Sequence, residues 1–132
     1  MAPTPADVQA WLERFASAVR AQDLDAGRAL FAHDALGYGT RAATAEGLDA
    51  LVAAQWGPVW AATSGFAFGP VDLMVVAGAE HAVVAARWTS RTSSGALRSG
   101  RATLVLTAAP DGRLLCEHSH FSLDPADGGR LA

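Results

Sequence analysis

Between Leu114 and Ser122 the chain carries His118 and His120 two residues apart, in a segment that reads as an extended strand. Side chains at i and i+2 of a strand share a face, so the two imidazoles are expected to project together, alongside Leu114, Cys116 and Ser122. Imidazole is the side chain best poised near neutral pH to donate, accept or relay a proton, or to hold a ligand. On the preceding strand Arg101, Thr103 and Val105 have the matching alternation. If both sets face inward, a guanidinium fork beside two imidazoles suits an anionic or carbonyl-bearing small molecule. Tyr38, set between Gly37 and Gly39, offers a hydroxyl, and Trp56 and Trp60, at i and i+4 of a helix, offer aromatic walls. Asp34 joins these as a ligand-binding candidate, with capping of a turn as its alternative.

Each of these residues also has a structural explanation. A strand histidine pair can be hydrogen-bonded core or interface. Arg101 can pair with an acidic residue on an exposed strand face, and Trp56 and Trp60 can be core packing. Cys116, the single cysteine, reads as a small buried apolar residue and not as a nucleophile. The two histidines could supply two metal ligands, but zinc needs three or four. Only His33, Asp34 or Cys116 could complete the set, and no spacing signature supports that, so neither a metal nor another cofactor is expected.

The elements that must position these residues follow from pattern. A chain of 132 residues is one domain's worth, with a core over about 7–123 and a polar, Gly-rich tail over 124–132. The net charge of −3 gives no basic field for nucleic acid. Hydrophobic residues at 51% against 17% charged suit a compact globule. The lack of a basic, apolar leader or a bilayer-length apolar run predicts a cytoplasmic protein without a membrane segment.

Asp7 can cap a first helix whose apolar positions are Val8, Trp11, Leu12, Phe15, Ala18 and Val19. Gln22-Asp23 marks its end, and Asp23 can cap a second helix to about Phe31. A short extended stretch from Ala35 to Thr40 leads to a polar loop, Arg41 to Glu46, and Leu48 to Trp60 reads as a third helix. Period-two alternation then predicts four strands, Phe66–Val76, Ala82–Ser90, Leu97–Thr107 and Arg113–Leu123. Turn residues at Gly78-Ala79-Glu80, Ser93-Ser94-Gly95 and Pro110-Asp111-Gly112 join them as hairpins. The fold class is α+β. One sheet face is expected to wrap the helices. The other, carrying Trp88, Leu104, Leu106, Leu115, Phe121 and Leu123, is expected to meet a second subunit in a homodimer.

With Ala21-Gln22-Asp23-Leu24-Asp25, Leu30 to Asp34, Gly39-Thr40, Gly100 to Thr103 and His118 to Ser122 in this order, the chain resembles the nuclear transport factor 2-like, SnoaL-like superfamily. Its ending is most similar to the SnoaL-like 3 group and to the association (hub) domain of calcium/calmodulin-dependent kinase. The resemblance implies a cone: a strongly curved antiparallel sheet around three helices, enclosing a pocket, with oligomers formed through the outer sheet face. It adds Arg87 to the candidates, at the place of an arginine in the hub domain's pocket. Ketosteroid isomerases are similar through the first two helices, yet Phe15 stands where their oxyanion-binding tyrosine would be and Gly39 where their carboxylate base would be. Such an isomerase needs both groups. The arginine and carboxylates of the superfamily's epoxide hydrolases are matched only by arginines.

These readings converge on a small-molecule-binding protein with an amphipathic pocket and His118 and His120 at its floor. Were it an enzyme, isomerisation, dehydration or cyclisation would run on histidine acid/base chemistry, with Tyr38 assisting and Arg87 or Arg101 holding an anionic group. The alternative is a noncatalytic ligand-sensing or oligomerisation module.

Overall fold

The computed structural model describes residues 2–125, with side chains for all of these except 70–76. Helix α1 (Pro5–Ala21) starts slightly before the position that capping by Asp7 implies. Thr4 is the N-cap: its hydroxyl accepts from the Asp7 N–H at 3.1 Å, and the Asp7 carboxylate accepts from the Thr4 N–H at 3.0 Å. This reciprocal capping box satisfies two otherwise orphaned donors, and the same hydrogen bonds hold the Asp7 carboxyl below its ordinary range. The buried stripe Val8, Trp11, Leu12, Phe15, Ala18 and Val19 is the one read from the sequence.

Helix α2 (Leu24–Arg28) is capped by Asp23 as expected, but it ends before Phe31. The Leu30 carbonyl takes the Cys116 N–H at 2.9 Å and the Trp11 indole N–H at 3.1 Å, so it is committed to partners outside a helix. Phe31 instead opens strand β1 (Phe31–Tyr38), and Ala45–Glu46 in the predicted loop forms a short β2. The third predicted helix is present as α3 (Leu48–Leu51), a π-helical turn (Val52–Trp56) and α4 (Gly57–Ala61) run end to end.

The remaining strands are β3 (Thr63–Ala77), β4 (His81–Thr92), β5 (Leu97–Ala108) and β6 (Leu114–Leu123), close to the spans predicted from alternation. Gly95 and Gly112, with φ of +87° each, supply the left-handed conformation in two of the connecting turns. All six strands form one open sheet in the order β2-β1-β6-β5-β4-β3, in which β1 runs parallel to β6 and every other pair is antiparallel. Sheet and helices together make the α+β architecture expected, a curved sheet around an N-terminal helical layer. No described helix is long and apolar enough to cross a membrane.

The assignment of sheet faces is corrected. Trp88, Leu104 and Leu106, expected on the outer face, are buried against the helices, together with Ala82, Val84, Ala86 and Ala102. Arg101, Thr103 and Val105 alternate with them and therefore face outward. Burying a row with Trp88, Leu104 and Leu106 removes far more apolar area from water than burying a row with an arginine and a threonine. On β6 the phase changes: Cys116 is opposite Leu106 but His118 is opposite Val105, with Glu117 as the extra residue of a β-bulge. Cys116, Ser119 and Phe121 consequently turn inward, while His118 and His120 turn outward.

Phe15 ties the two layers together. Its ring contacts Trp11, Phe31, Trp56, Trp60, Phe66 and Phe121 at centroid separations of 5.4–6.3 Å. At the far side of this cluster Gly100 lets β5 pass beneath the Trp88 indole, since a Cβ there would run into that ring and the Ser122 carbonyl oxygen. Gly100→Ala should therefore destabilise the fold by roughly 1–3 kcal/mol, the usual cost of overpacking. Urea unfolding followed by tryptophan fluorescence measures this, and a midpoint equal to that of the parent would contradict the packing described.

Candidate functional site

Two separate groupings of polar residues emerge, one on each face of the sheet. On the inner side, α1, the π-helical turn, α4 and strands β3 to β6 enclose a recess of about 50 Å³. That is room for a water molecule or two, well short of the several hundred Å³ typical of a ligand pocket. Its walls are aromatic: Phe15, Trp56, Trp60, Phe66, Trp88 and Phe121. Trp56 and Trp60 stack at 4.7 Å with 16° between their planes, so the two tryptophans form both core and wall.

The polar members of the recess are Thr40, Gln55, Thr63, Ser90 and Arg98. Ser90 and Arg98 are directly opposite across β4 and β5. The Arg98 guanidinium has no hydrogen-bond or ion-pair partner among the described residues, although the side chain is half-buried. Gln55 is buried within the π-helical turn. Its Oε1 accepts from the Arg41 N–H at 2.9 Å and the Ala42 N–H at 2.8 Å, and its Nε2 donates to Thr40 Oγ1 at 3.0 Å. The carboxamide also fills the space in front of Gly39, where a Cβ would collide with it.

None of these five polar residues was singled out as a site residue from the sequence. The signal for Arg98 was present: it has the parity of Gly100, Ala102, Leu104 and Leu106, and the most apolar row of β5 marks the buried face. Gln55, Ser90 and Thr63 carry no comparable signal, because their place depends on how the helix and sheet meet.

On the outer face the structure does bring several predicted residues together. Tyr38 pairs in register with His120, and His120 with Thr103. The Tyr38 ring is edge-on to both imidazoles, at 5.0 Å from His118 and 5.4 Å from His120. Arg101 and Arg87 are in register with each other one row along. Arg101 is exposed, with its Nε 4.0 Å from an Asp124 carboxylate oxygen. The histidines thus do not form the floor of the inner recess, which corrects the orientation expected from simple alternation; the Glu117 bulge is the cause. Asp34 is exposed within β1, at neither grouping, and it caps no helix. Trp56 and Trp60 alone among the predicted site residues line the inner recess.

Cys116 is fully buried, and burial pushes its thiol well above the ordinary range, in keeping with an inert apolar residue. Among the described residues no group of three or more metal-ligating side chains occurs.

The SnoaL-like domain family matches residues 12–117. No curated protein matches the chain. Among solved structures, a nuclear transport factor 2 (NTF2-like) superfamily protein from Salmonella enterica superposes with a TM-score of 0.78 at 16% identity, over 96% of this chain and 95% of that one. A ketosteroid isomerase-like protein from Erwinia carotovora atroseptica gives 0.75 at 18% identity, over 89% and 94%. An NTF2-like protein of unknown function from Pseudomonas putida gives 0.77 at 20% identity, over 96% and 92%. At these identities the likeness is one of fold, and it agrees with the cone and its open, curved sheet.

One proton on the outer face is fixed by chemistry. His118 Nδ1 lies 2.8 Å from the Leu36 carbonyl oxygen, which can only accept, so Nδ1 carries the hydrogen and Nε2 of the neutral ring holds the lone pair. Long-range ¹H–¹⁵N correlation spectra of the neutral ring should show His118 in the Nδ1–H tautomer. A protonated Nε2 with a bare Nδ1 would rule out the Leu36 hydrogen bond.

Proposed function

Because this chain belongs to the SnoaL-like domain family, we propose that it is a small-molecule-binding protein that takes a planar, largely apolar anion into the inner recess, its ring against Trp56 and Trp60 and its carboxylate on Arg98. The observation that carries this reading is the Arg98 guanidinium, half-buried at an aromatic recess with no partner among the described residues. Beside apolar rings the guanidinium is partly desolvated, and a ligand carboxylate would supply the counter-charge that no described residue provides. Arginine also presents a planar fork that matches a carboxylate. Ser90, opposite Arg98 on β4, adds a hydroxyl at the same end.

Binding is favoured over proton-transfer catalysis at this site. The described residues lining the recess include hydroxyls, a carboxamide and a guanidinium, but no carboxylate, imidazole or thiol. General acid/base catalysis asks for a group whose pKa can be brought near the working pH, and the guanidinium does not lose its proton in proteins. Admission of a ring requires the recess to widen.

The outer face carries the partner part of the proposal, a second copy of the chain. Its support is apolar exposure: Tyr38 and Val83 are each 37% exposed and Leu97 63%, all three on strands of this sheet. Tyr38, His118, His120, Thr103, Arg101 and Arg87 then belong to the subunit contact, with Tyr38 and the imidazoles as its aromatic part. Of the apolar residues first assigned to that face, Trp88, Leu104, Leu106 and Phe121 give way to this set, and the homodimer stays part of the proposal.

Benzoate is the simplest probe with the required shape and charge. It should quench or shift the tryptophan emission in a saturable way, and Arg98→Gln should weaken it by about tenfold or more, the usual consequence of losing a charge-assisted hydrogen bond. His120→Gln should leave benzoate binding unchanged, because His120 is on the other side of the sheet. Equal binding by the Arg98 variant would sink the assignment of the recess. For the assembly, light scattering on a sizing column should give twice the chain mass for the parent, with Val83→Asp shifting it to monomer; a monomeric parent would remove the outer-face interface.

A further inference from the structure

The recess contains one residue whose role is neither to line it passively nor to meet the ligand's charge. Gln55 fills the space that any side chain on Gly39 would need. The orientation of its amide is settled by its neighbours: two backbone N–H groups, from Arg41 and Ala42, require an acceptor, so the oxygen points at them and the nitrogen at Thr40 Oγ1. A hydroxyl that accepts from an amide keeps its own hydrogen for another acceptor. Thr40 lines the recess, so the hydrogen it retains is one the ligand can use.

We infer that Gln55 is the specificity-determining residue of the recess, acting through Thr40: its amide nitrogen fixes the Thr40 hydroxyl as a donor, so that Arg98 and Thr40 together select an anion over a neutral ligand of the same shape. This deepens the binding reading above and rests on it. The neutrality of Gln55 matters as much as its geometry. A glutamate here could accept the same two backbone N–H groups, so the Thr40–Ala42 segment does not require an amide. What a carboxylate would change is the polarity of the site. The Thr40 hydroxyl would donate to it and be lost to the ligand, and a negative charge would line the same recess as Arg98.

Gln55→Glu is therefore the discriminating variant, with benzoate and its neutral isostere benzamide as probes, titrated by tryptophan fluorescence on the full chain. The expected result is a loss of benzoate affinity of tenfold or more with benzamide changed less than threefold. Thr40→Val should weaken benzoate severalfold in the parent and add nothing in the Gln55→Glu background, since the hydroxyl's donation is already gone there. A parent that fails to bind benzoate, or an Arg98→Gln variant that binds it equally, overturns the underlying binding reading. Binding that depends on Arg98 while Gln55→Glu keeps the parental ratio of benzoate to benzamide overturns the role of Gln55 alone. Should Gln55→Glu not fold, an unchanged benzoate affinity in Thr40→Val overturns it equally.

Discussion

Everything in this molecule is arranged around the burial of Phe15 among the rings of helix and sheet. A helix can be covered by a curved sheet only if the concave side is filled, and here the filling is aromatic. Phe15 and Trp11 come from α1, Phe31 from β1, Trp56 and Trp60 from the helical run that follows β2, and Phe66, Trp88 and Phe121 from the sheet. Rings of this size bury large areas and prefer tilted or edge-on contacts, so they set the separation between layers as well as the energy that holds them. The same filling limits the interior to a small recess. The space inside the sheet is thus set by the groups that make the fold stable.

The inner recess lacks the two groups that ketosteroid isomerase chemistry needs. A hydroxyl at the position of Phe15 and a carboxylate at Gly39 are what the resemblance to ketosteroid isomerases would require. Phe15 gives a bare ring in the recess, and the volume beside Gly39 belongs to the Gln55 carboxamide. Neither residue carries a group that responds to protons. The polar groups at the recess are hydroxyls, one carboxamide and one permanent cation.

The regular elements were legible in the sequence because their patterns are local. Alternation located β3 to β6 to within a few residues, and the spacing of Val8, Trp11, Leu12 and Phe15 located α1 and its buried stripe. Two things were not local. Leu30 and Phe31 look like the continuation of a helix, and what makes Phe31 a strand residue is the Cys116 N–H, supplied from far along the chain, on the Leu30 carbonyl. The side on which the histidines project depends on one extra residue in β6. Cys116 and Phe121 are apolar positions of opposite parity, and a regular strand cannot bury both; the Glu117 bulge lets it do so and reverses His118 and His120. That phase conflict was the available clue, and it bears directly on which residues can share a site.

The parallel pairing of β1 with β6 has a consequence for how the chain is made. On a ribosome, β1 is complete soon after residue 38, yet its long sheet neighbour is the last strand to emerge, and before then β2 offers a ladder of two residues. The edge of β1 that pairs with β6, and the Leu30 carbonyl that takes the Cys116 N–H, must wait through the synthesis of the whole β3–β5 meander. Contacts this distant in sequence carry a large loop-closure cost and form late. The two ends of the domain therefore close it together, and a nascent chain stopped before Cys116 is left with an open sheet edge on either side of the missing strand.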